Sequence, residues 1–478
     1  MTITSDKTIT PPQLTINGAS QTSDETLSVI DPSTGAPFIE VPSASLAQLD
    51  EAVEAATTAF ATWSTTPITE RQAKIQEIGQ VIRDNIDELA LLVMREQGKP
   101  LQNARGEIMA SLRQVEVFGS IEFAPEVLKD DETGKVVLTY DPIGVVGAIT
   151  VWNYPFLAAM FKLVPGLVAG NTVIIKPSPY TPLSTLRLGE LLQSVLPAGV
   201  LQVLAGGDEL GRALVEHTGI HKISFTGSVP TGKAIMASAA ATLKRVTLEL
   251  GGNDAGIVLA DADPDVVGAD LFWAAFSNSG QVCAALKRLY VPEDKVDAYA
   301  AAIAREAAKV VVGPGDQEGV TAGPVQNAAQ LAQVKRLAQA AKDGGGEIAF
   351  EGEIPDGPGY WFPTTIVKGL SEGNALVDEE PFGPILPILT YRDLDEAIER
   401  ANSTVYGLGA SVWTANPESP EAVAVAERLE AGSVWVNQHP VVTATIPFGG
   451  VKQSGIGVEG SILGLRAYTN PRVLNIKR

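Results

Sequence analysis

The sequence predicts an α/β fold of two sheet-based units with a small β element beside them, and three observations carry that prediction. From Val145 onward, short apolar β-rich runs (VVGAITV, NTVIIKP, LQVLAG, KISFTG, VTLELGG, AGIVLAD) alternate with helical stretches, the rhythm of parallel strands joined by helical crossovers. A further αβ series begins near Asp263, runs to about Val441, and carries its own strand-like runs LKRLYV, ILPILTY and SVWVN. Two strand-like pieces, residues 128–142 and the terminal PRVLNIKR, belong to neither series, and such pieces often pair with a neighbouring subunit's sheet edge. The division is therefore 1–127 with 143–250 for the first unit, 251–455 for the second, and 128–142 with 456–478 for the small element.

Taken in order, Thr69 can cap a long helix in which Ile75, Ile78, Val81, Ile82, Ile86, Leu89 and Leu92 follow three- and four-residue spacing, and Gly98 and Pro100 stop it. In the first series, residues 181–196 after Pro179 and the Ala-rich residues 231–241 after Gly227 are amphipathic crossovers, as βαβ units require. The apolar stretch 156–175 is interrupted by Lys162, Pro165, Gly166, Gly170 and Asn171, so it reads as buried helix, turn and strand rather than a membrane span.

Composition excludes several function classes. The 478 residues are 45% hydrophobic, enough for more than one core. With Asp+Glu 56 against Lys+Arg 35, the net charge of −21 repels phosphate polymers and anionic surfaces, so no nucleic-acid and no membrane partner is expected. The first thirteen residues, MTITSDKTITPPQ, show neither the apolar core of a secretory signal nor an Arg-rich amphipathic pattern, which makes the cytoplasm the expected location. A single cysteine forms no internal disulfide and no thiolate cluster. His217 and His221 stand four apart, but no carboxylate or third imidazole lies at motif spacing, so they read as surface residues and no metal is predicted.

Some segments could carry chemistry. FTGSVPTGKA, residues 225–234, follows a strand and opens a helix, so its N–H groups could hold a phosphate; a plain glycine-rich turn is the alternative. Gly227, Gly232 and Lys233 match P-loop spacing, and Asp261 could imitate the acidic strand, but Ala234 stands where the magnesium-binding hydroxyl belongs. The GxGxxG fingerprint follows none of the predicted strands. Glu249 ends an apolar strand before two glycines, as a catalytic base or equally as a salt-bridged or solvent-facing carboxylate. Cys283 sits in a small-residue loop, where on its own an inert buried thiol is the stronger reading. The WNYP segment puts the Asn153 amide at a strand end, where it could donate to an oxyanion.

Together, PIGVVGAITVWNYP, KPSPYTPL, FTGSVPTG, LELGGND, GQVC, EEPFGP and PFGGVKQSG resemble, in order and over nearly the whole chain, the signatures of the aldehyde dehydrogenase superfamily, whose 34-position separation of Glu249 and Cys283 also recurs. The resemblance implies a Rossmann-type cofactor domain, an α/β catalytic domain and a small β oligomerisation element, assembled as a homodimer or homotetramer. It implies that Cys283 attacks an aldehyde, that Asn153 and the Cys283 N–H hold the oxyanion, and that Glu249 activates the water that hydrolyses the thioester. It assigns cofactor contacts to Trp152, Lys176, Gly207, Gly227, Ser228, Gly232, Glu380 and Phe382. Lys162 and Glu459 match a proton-relay path, with a structural salt bridge as the equal alternative.

Two departures stand out. Pro179 occupies the position where NAD-preferring relatives carry an acid, so the resemblance implies NAD or NADP with NAD slightly favoured. The common Ala-Gly-Ser/Thr-Arg run after the nucleophile is replaced by Ala285, Leu286, Lys287 and Arg288. The implied pocket lining of Tyr154, Ala158, Phe161, Val282, Ala284 and Ile446 bears no cation, which favours neutral aldehydes with an aliphatic, aromatic or terpenoid body over acidic semialdehydes. Residues 437–446 are expected to close the pocket entrance, with His439 a surface or substrate-contact residue. Against aldehyde oxidation stand a P-loop triphosphatase, a non-catalytic relative and a thiol hydrolase; the last lacks a recognisable histidine motif.

Overall fold

The computed structural model describes residues 9–478; the expectation drawn from the first thirteen residues falls mostly on residues outside these. Two sheets organise the chain. The first has eight strands in the spatial order Gly455–Ile456, Arg245–Glu249, Lys222–Thr226, Val145–Ile149, Thr172–Lys176, Leu201–Val203, Leu14–Ile16 and Ala19–Gln21. From Arg245–Glu249 to Leu201–Val203 the pairs are parallel, and the pieces at both edges are antiparallel. These central runs are rich in Val and Ile because helices cover both faces, and Thr172–Lys176 is buried throughout. The crossovers are the helices Pro155–Val168, Leu183–Leu192, Asp208–Glu216 and Val229–Ala239.

The second sheet orders its strands Glu347–Glu351, Thr365–Lys368, Ile385–Tyr391, Leu286–Pro292, Asp254–Val258, Gly409–Trp413 and Ser433–Val436, all parallel except the first. The AGIVLAD run therefore leaves the first series. Its strand pairs with Leu286–Pro292 and Gly409–Trp413, so the chain changes sheet between Glu249 and Asp254. Periodicity could not show this, because a strand buried on both faces reads the same in either sheet. The third sheet is antiparallel, with Gly134–Pro142 between Glu126–Asp131 and Thr469–Lys477. Of the 456–478 segment only Thr469–Lys477 joins it; Gly455–Ile456 pairs in the first sheet and Ser461–Arg466 is helical.

Other local expectations change. The long helix is two, Ile68–Asp84 and Ile86–Gln97, broken at Asn85, and it begins before Thr69, with Pro67 at the cap position. Gly98 does end it, with φ +93 in the left-handed region. Stretch 156–175 forms the helix Pro155–Val168 and the strand Thr172–Lys176, joined through Gly170 at φ +95. No helix among the described residues is long and apolar enough to cross a membrane. His217 and His221 share no helix face, because His217 leaves the helix in extended conformation and His221 precedes a strand.

Candidate active site

The predicted cofactor residues Trp152, Lys176, Gly207, Gly227, Ser228 and Gly232 lie at or just beyond the ends of parallel strands of the first sheet, whereas Glu380 and Phe382 precede the strand Ile385–Tyr391 of the second. Ile149 pairs beside Lys176 and Thr226 beside Glu249, so the turns that follow face one crevice, where parallel sheets bind ligands. Lys176 is buried, and its ammonium makes one bond, to the Pro177 carbonyl at 3.3 Å, which leaves donors for a ligand. Burial lowers its pKa to about 8, with Asp208 acting against that shift. Beside it Gly207 opens the helix Asp208–Glu216, with no atom near the place of a Cβ.

Ser228 caps the helix Val229–Ala239 through Thr231 N–H at 3.3 Å. Gly227 and Gly232 have other duties: their N–H groups donate to Glu249 O (3.0 Å) and Ser228 O (2.9 Å), and a Cβ on Gly232 would lie 2.6 Å from Leu250. The P-loop alternative fails here. Lys233 is exposed, and Asp261 follows a strand of the other sheet, where it accepts from Thr414 Oγ1 at 2.8 and 2.9 Å.

Cys283 lies where the second sheet meets this edge. Its loop is shaped by three consecutive left-handed residues, Asn278 (φ 51), Ser279 (φ 55) and Gly280 (φ 71), of which two are not glycine. Such strain persists only where the surroundings hold it. Here Gln281 does so, donating to Asn278 O (3.1 Å) and Pro324 O (3.2 Å) and accepting from Gln326 N (2.8 Å). Asn153 reaches the same loop, its Nδ2 donating to Gln281 O at 2.8 Å. An amide nitrogen carries two protons, so one remains for an oxyanion.

Cys283 is partly exposed, yet its surroundings push the thiol up to about 12 through burial, with Lys287 acting downward and Glu380, Asp254 and Glu249 upward. The resting group is therefore a thiol, and it needs a base. Glu249 is buried, and neither carboxylate oxygen has a hydrogen-bond partner. Burial, then the charge of Glu459, raise its pKa well above the usual range, and Lys162 opposes them. Lys162 and Glu459 form a buried ion pair at 2.6 Å, and Lys162 also donates to Thr226 Oγ1 at 2.8 Å.

The two glycines after Glu249 are needed for close approach, since neither has positive φ. A Cβ on Gly251 would stand 2.2 Å from Glu380 Oε2, and one on Gly252 would stand 2.8 Å from the Cys283 carbonyl oxygen. Glu380 thereby lies against the catalytic edge, accepting from Gly252 N at 3.2 Å. Phe382, at φ 46, meets Trp152 edge-on with centroids 5.2 Å apart.

A cavity of about 410 Å³ beside the Asn153 turn is lined by Asn103, Gly106, Ala110, Tyr154, Leu157 and Trp273, among others. Of the predicted lining, Tyr154 is shared. Ala284 is instead buried with Leu408 and Trp435, and Ile446 is 53% exposed. His439 is not on the surface: its ring is buried against Trp435, with Nε2 3.6 Å from Asp254 Oδ2. Burial lowers its pKa to about 3 and raises that of Asp254 to about 8, which makes this a neutral acid–imidazole pair near pH 7.

Sequence reasoning missed Lys99 and Glu107, ion-paired at 2.6 Å, with Lys99 donating to Asn153 O at 2.9 Å. Glu107 accepts from Phe156 N and Leu157 N at 3.0 and 3.2 Å, capping from outside the helix that follows Asn153. The one available signal was two charges eight positions apart around a helix start, EQGKPLQNARGE.

The model of the aldehyde dehydrogenase family matches residues 19–474. A Pseudomonas protein described as a probable aldehyde dehydrogenase is 39% identical, over 97% of this chain and 94% of its own length. The phenylacetaldehyde dehydrogenase of Pseudomonas fluorescens is 36% identical over 98% and 96%, and the mitochondrial succinate-semialdehyde dehydrogenase of Arabidopsis thaliana 36% over 93% and 85%. Among solved structures, the NAD+ complex of an aldehyde dehydrogenase from Bacillus cereus aligns with TM-score 0.94 at 32% identity, covering 98% of this chain and 97% of that one. An NADP-dependent enzyme from E. coli also aligns with TM-score 0.94, at 32% identity, with 98% of each chain covered. The chain belongs to the aldehyde dehydrogenase family, enzymes of the oxidoreductase class that act with NAD or NADP.

Proposed function

We propose that the protein oxidises a neutral aldehyde with an apolar body to the carboxylic acid through covalent adducts on Cys283. The observation that carries this reading is the convergence of a thiol, an amide donor with a spare proton and an unpartnered buried carboxylate at one sheet edge. Glu249 takes the thiol proton as Cys283 Sγ bonds to the aldehyde carbon. Asn153 Nδ2 and the Cys283 N–H stabilise the oxyanion of the thiohemiacetal. NAD or NADP, when bound, supplies the hydride acceptor that converts this adduct to the thioester. Glu249 sheds the thiol proton before hydrolysis and only then takes a proton from water, the hydroxide displaces the thiolate, Cys283 regains that second proton and the acid leaves. The Lys162–Glu459 ion pair, whose charges act on Glu249, supports a route through these two residues for the thiol proton.

Lys176, with the Gly207 opening beside it, suits an adenosine ribose, the Ser228 helix start a pyrophosphate, Glu380 a second ribose, and the Trp152–Phe382 pair the nicotinamide. With Pro179 three residues past Lys176, no carboxylate there repels a 2′-phosphate, so both cofactors suit the cradle. The 410 Å³ cavity, which shares Tyr154 with the implied lining but is not bordered by Cys283, Asn153 or Glu249, supports the substrate class. Lys99 is the one cation in its lining among the described residues, and Glu107 already neutralises it. A substrate carboxylate would find no free partner there.

The test is reduction of NAD and NADP with a panel of aliphatic, aromatic and acidic aldehydes, including succinic semialdehyde. Neutral aldehydes are expected to give the higher kcat/KM, and Cys283→Ala to abolish turnover. Unchanged turnover in Cys283→Ala would overturn the mechanism, and preference for the semialdehyde would overturn the substrate class. We also assign assembly to the small sheet, which leaves Val127, Leu128, Val473, Leu474 and Ile476 exposed. Sedimentation equilibrium should find a dimer or tetramer that Leu474→Asp weakens.

A further inference from the structure

Lys287 is buried, and all three ammonium protons are used. It donates to the carbonyl oxygen of Cys283 at 2.5 Å, to Gly252 O at 2.8 Å and to Glu380 Oε1 at 2.8 Å. A neutral side-chain nitrogen or hydroxyl offers at most two donor protons, too few for all three acceptors. A cation serving two carbonyls and a carboxylate at once is a built electrostatic feature.

Position and fold explain how it gets there. Lys287 is near the start of the strand Leu286–Pro292, four residues beyond the nucleophile, so the chain doubles back beneath Cys283. Gly252 lacks the Cβ that would stand 2.8 Å from the Cys283 oxygen, and Gly251 lacks the one that would stand 2.2 Å from Glu380. The two glycines thus open the space in which nucleophile carbonyl, ammonium and carboxylate meet.

We propose that Lys287 is a positioning residue that fixes the Cys283 backbone and sets the readiness of its thiol to ionise, with Glu380 as its counter-charge. This rests on Cys283 being the nucleophile. A cation bonded to a residue's own carbonyl favours the thiolate of that residue, and the carboxylate sharing the cation weakens the effect. The other charged or titratable groups facing this cluster are Asp254, Glu249, Arg288, His439, Tyr154 and Tyr406. Because Glu380 is also the predicted ribose contact, the nucleophile and the cofactor cradle share one ion pair.

The test measures Cys283 alkylation by iodoacetamide against pH, with neither aldehyde nor cofactor present. Lys287→Met is expected to move the midpoint up by about one pH unit, tenfold less thiolate at a given lower pH. Lys287→Arg keeps the charge and should remain nearer wild type. Glu380→Gln should move the midpoint down, and the double variant should not show the sum of the two shifts. Lys287→Gln, which retains donors, replaces Lys287→Met should the latter not fold. Coincident profiles for wild type and the neutral variant, or an upward shift in Glu380→Gln, would overturn the proposal. Failure of the aldehyde panel with these shifts intact would instead overturn only the reaction.

Discussion

The Lys99 ammonium donates to the backbone carbonyl of Asn153 at 2.9 Å, directly under the residue whose side-chain amide reaches the Cys283 loop. The same ammonium lies 3.8 Å from the centroid of the Tyr154 ring and is neutralised by Glu107, so the whole turn is pinned from below.

Lys99→Met should therefore lower kcat by about 10- to 100-fold with little change in aldehyde KM, because it loosens an oxyanion donor rather than a binding contact. It also strands the buried Glu107 carboxylate, at a stability cost on the order of 3 kcal/mol. Adding Glu107→Gln should recover part of the thermal stability and none of the turnover. An unchanged kcat in the folded Lys99→Met enzyme would refute this role.

Glu249 acts as a base only when ionised, and its raised pKa places that step above the ordinary carboxylate range. Turnover should rise with pH along this limb, and Glu249→Gln should remove it. Rapid mixing should show a slowed burst of reduced cofactor in Glu249→Gln, because the thiol also loses its base, followed by a steady state slowed further. Equal losses in burst and steady state would contradict a base that acts on the thioester.

The two adjacent glycines should separate cofactor binding from chemistry. In Gly251→Ala the new methyl meets the flexible end of Glu380, so cofactor KM should rise several-fold with a smaller fall in kcat. In Gly252→Ala it meets the Cys283 carbonyl, which is backbone, so kcat should fall by about 100-fold or more. Steady-state kinetics with saturating aldehyde distinguishes the two patterns.

Asp254 carries its proton to about pH 8 in the folded chain, whereas an unfolded aspartate releases it near pH 4. Between these values the folded state holds more protons than the unfolded one, so this group makes stability decline as pH rises. Asp254→Asn should match wild type near about pH 4 and exceed its urea-unfolding stability by at least about 1 kcal/mol near pH 9. Equal stability at both ends would refute the buried neutral pair with His439.

Much of this was legible in the chain itself. Val- and Ile-rich runs bounded by glycine marked the parallel strands, because burial on both faces demands unbroken apolar stretches. Cys283, Glu249 and Asn153 were picked out by their place in the family's signature segments, since local context alone left an inert thiol and a salt-bridged carboxylate as standing alternatives. Helix ends were less legible. Asn85 breaks the long helix although the three- and four-residue spacing runs through it, since spacing records which face is buried and not whether the backbone is continuous.

The sequence by itself determined the α/β class, because alternating apolar runs and turns are local patterns, and it singled out Asn153, Glu249 and Cys283 only through the resemblance of their segments to the family's signatures. Tertiary structure decided that AGIVLAD joins the second sheet, that His439 is buried against Trp435, and that Lys99 and Lys287 serve Asn153 and Cys283. Those outcomes turn on which distant groups a buried charge can reach. Lysine shows the same side chain in sequence whether it faces water or is held between a carbonyl and a carboxylate, and only packing tells the two apart.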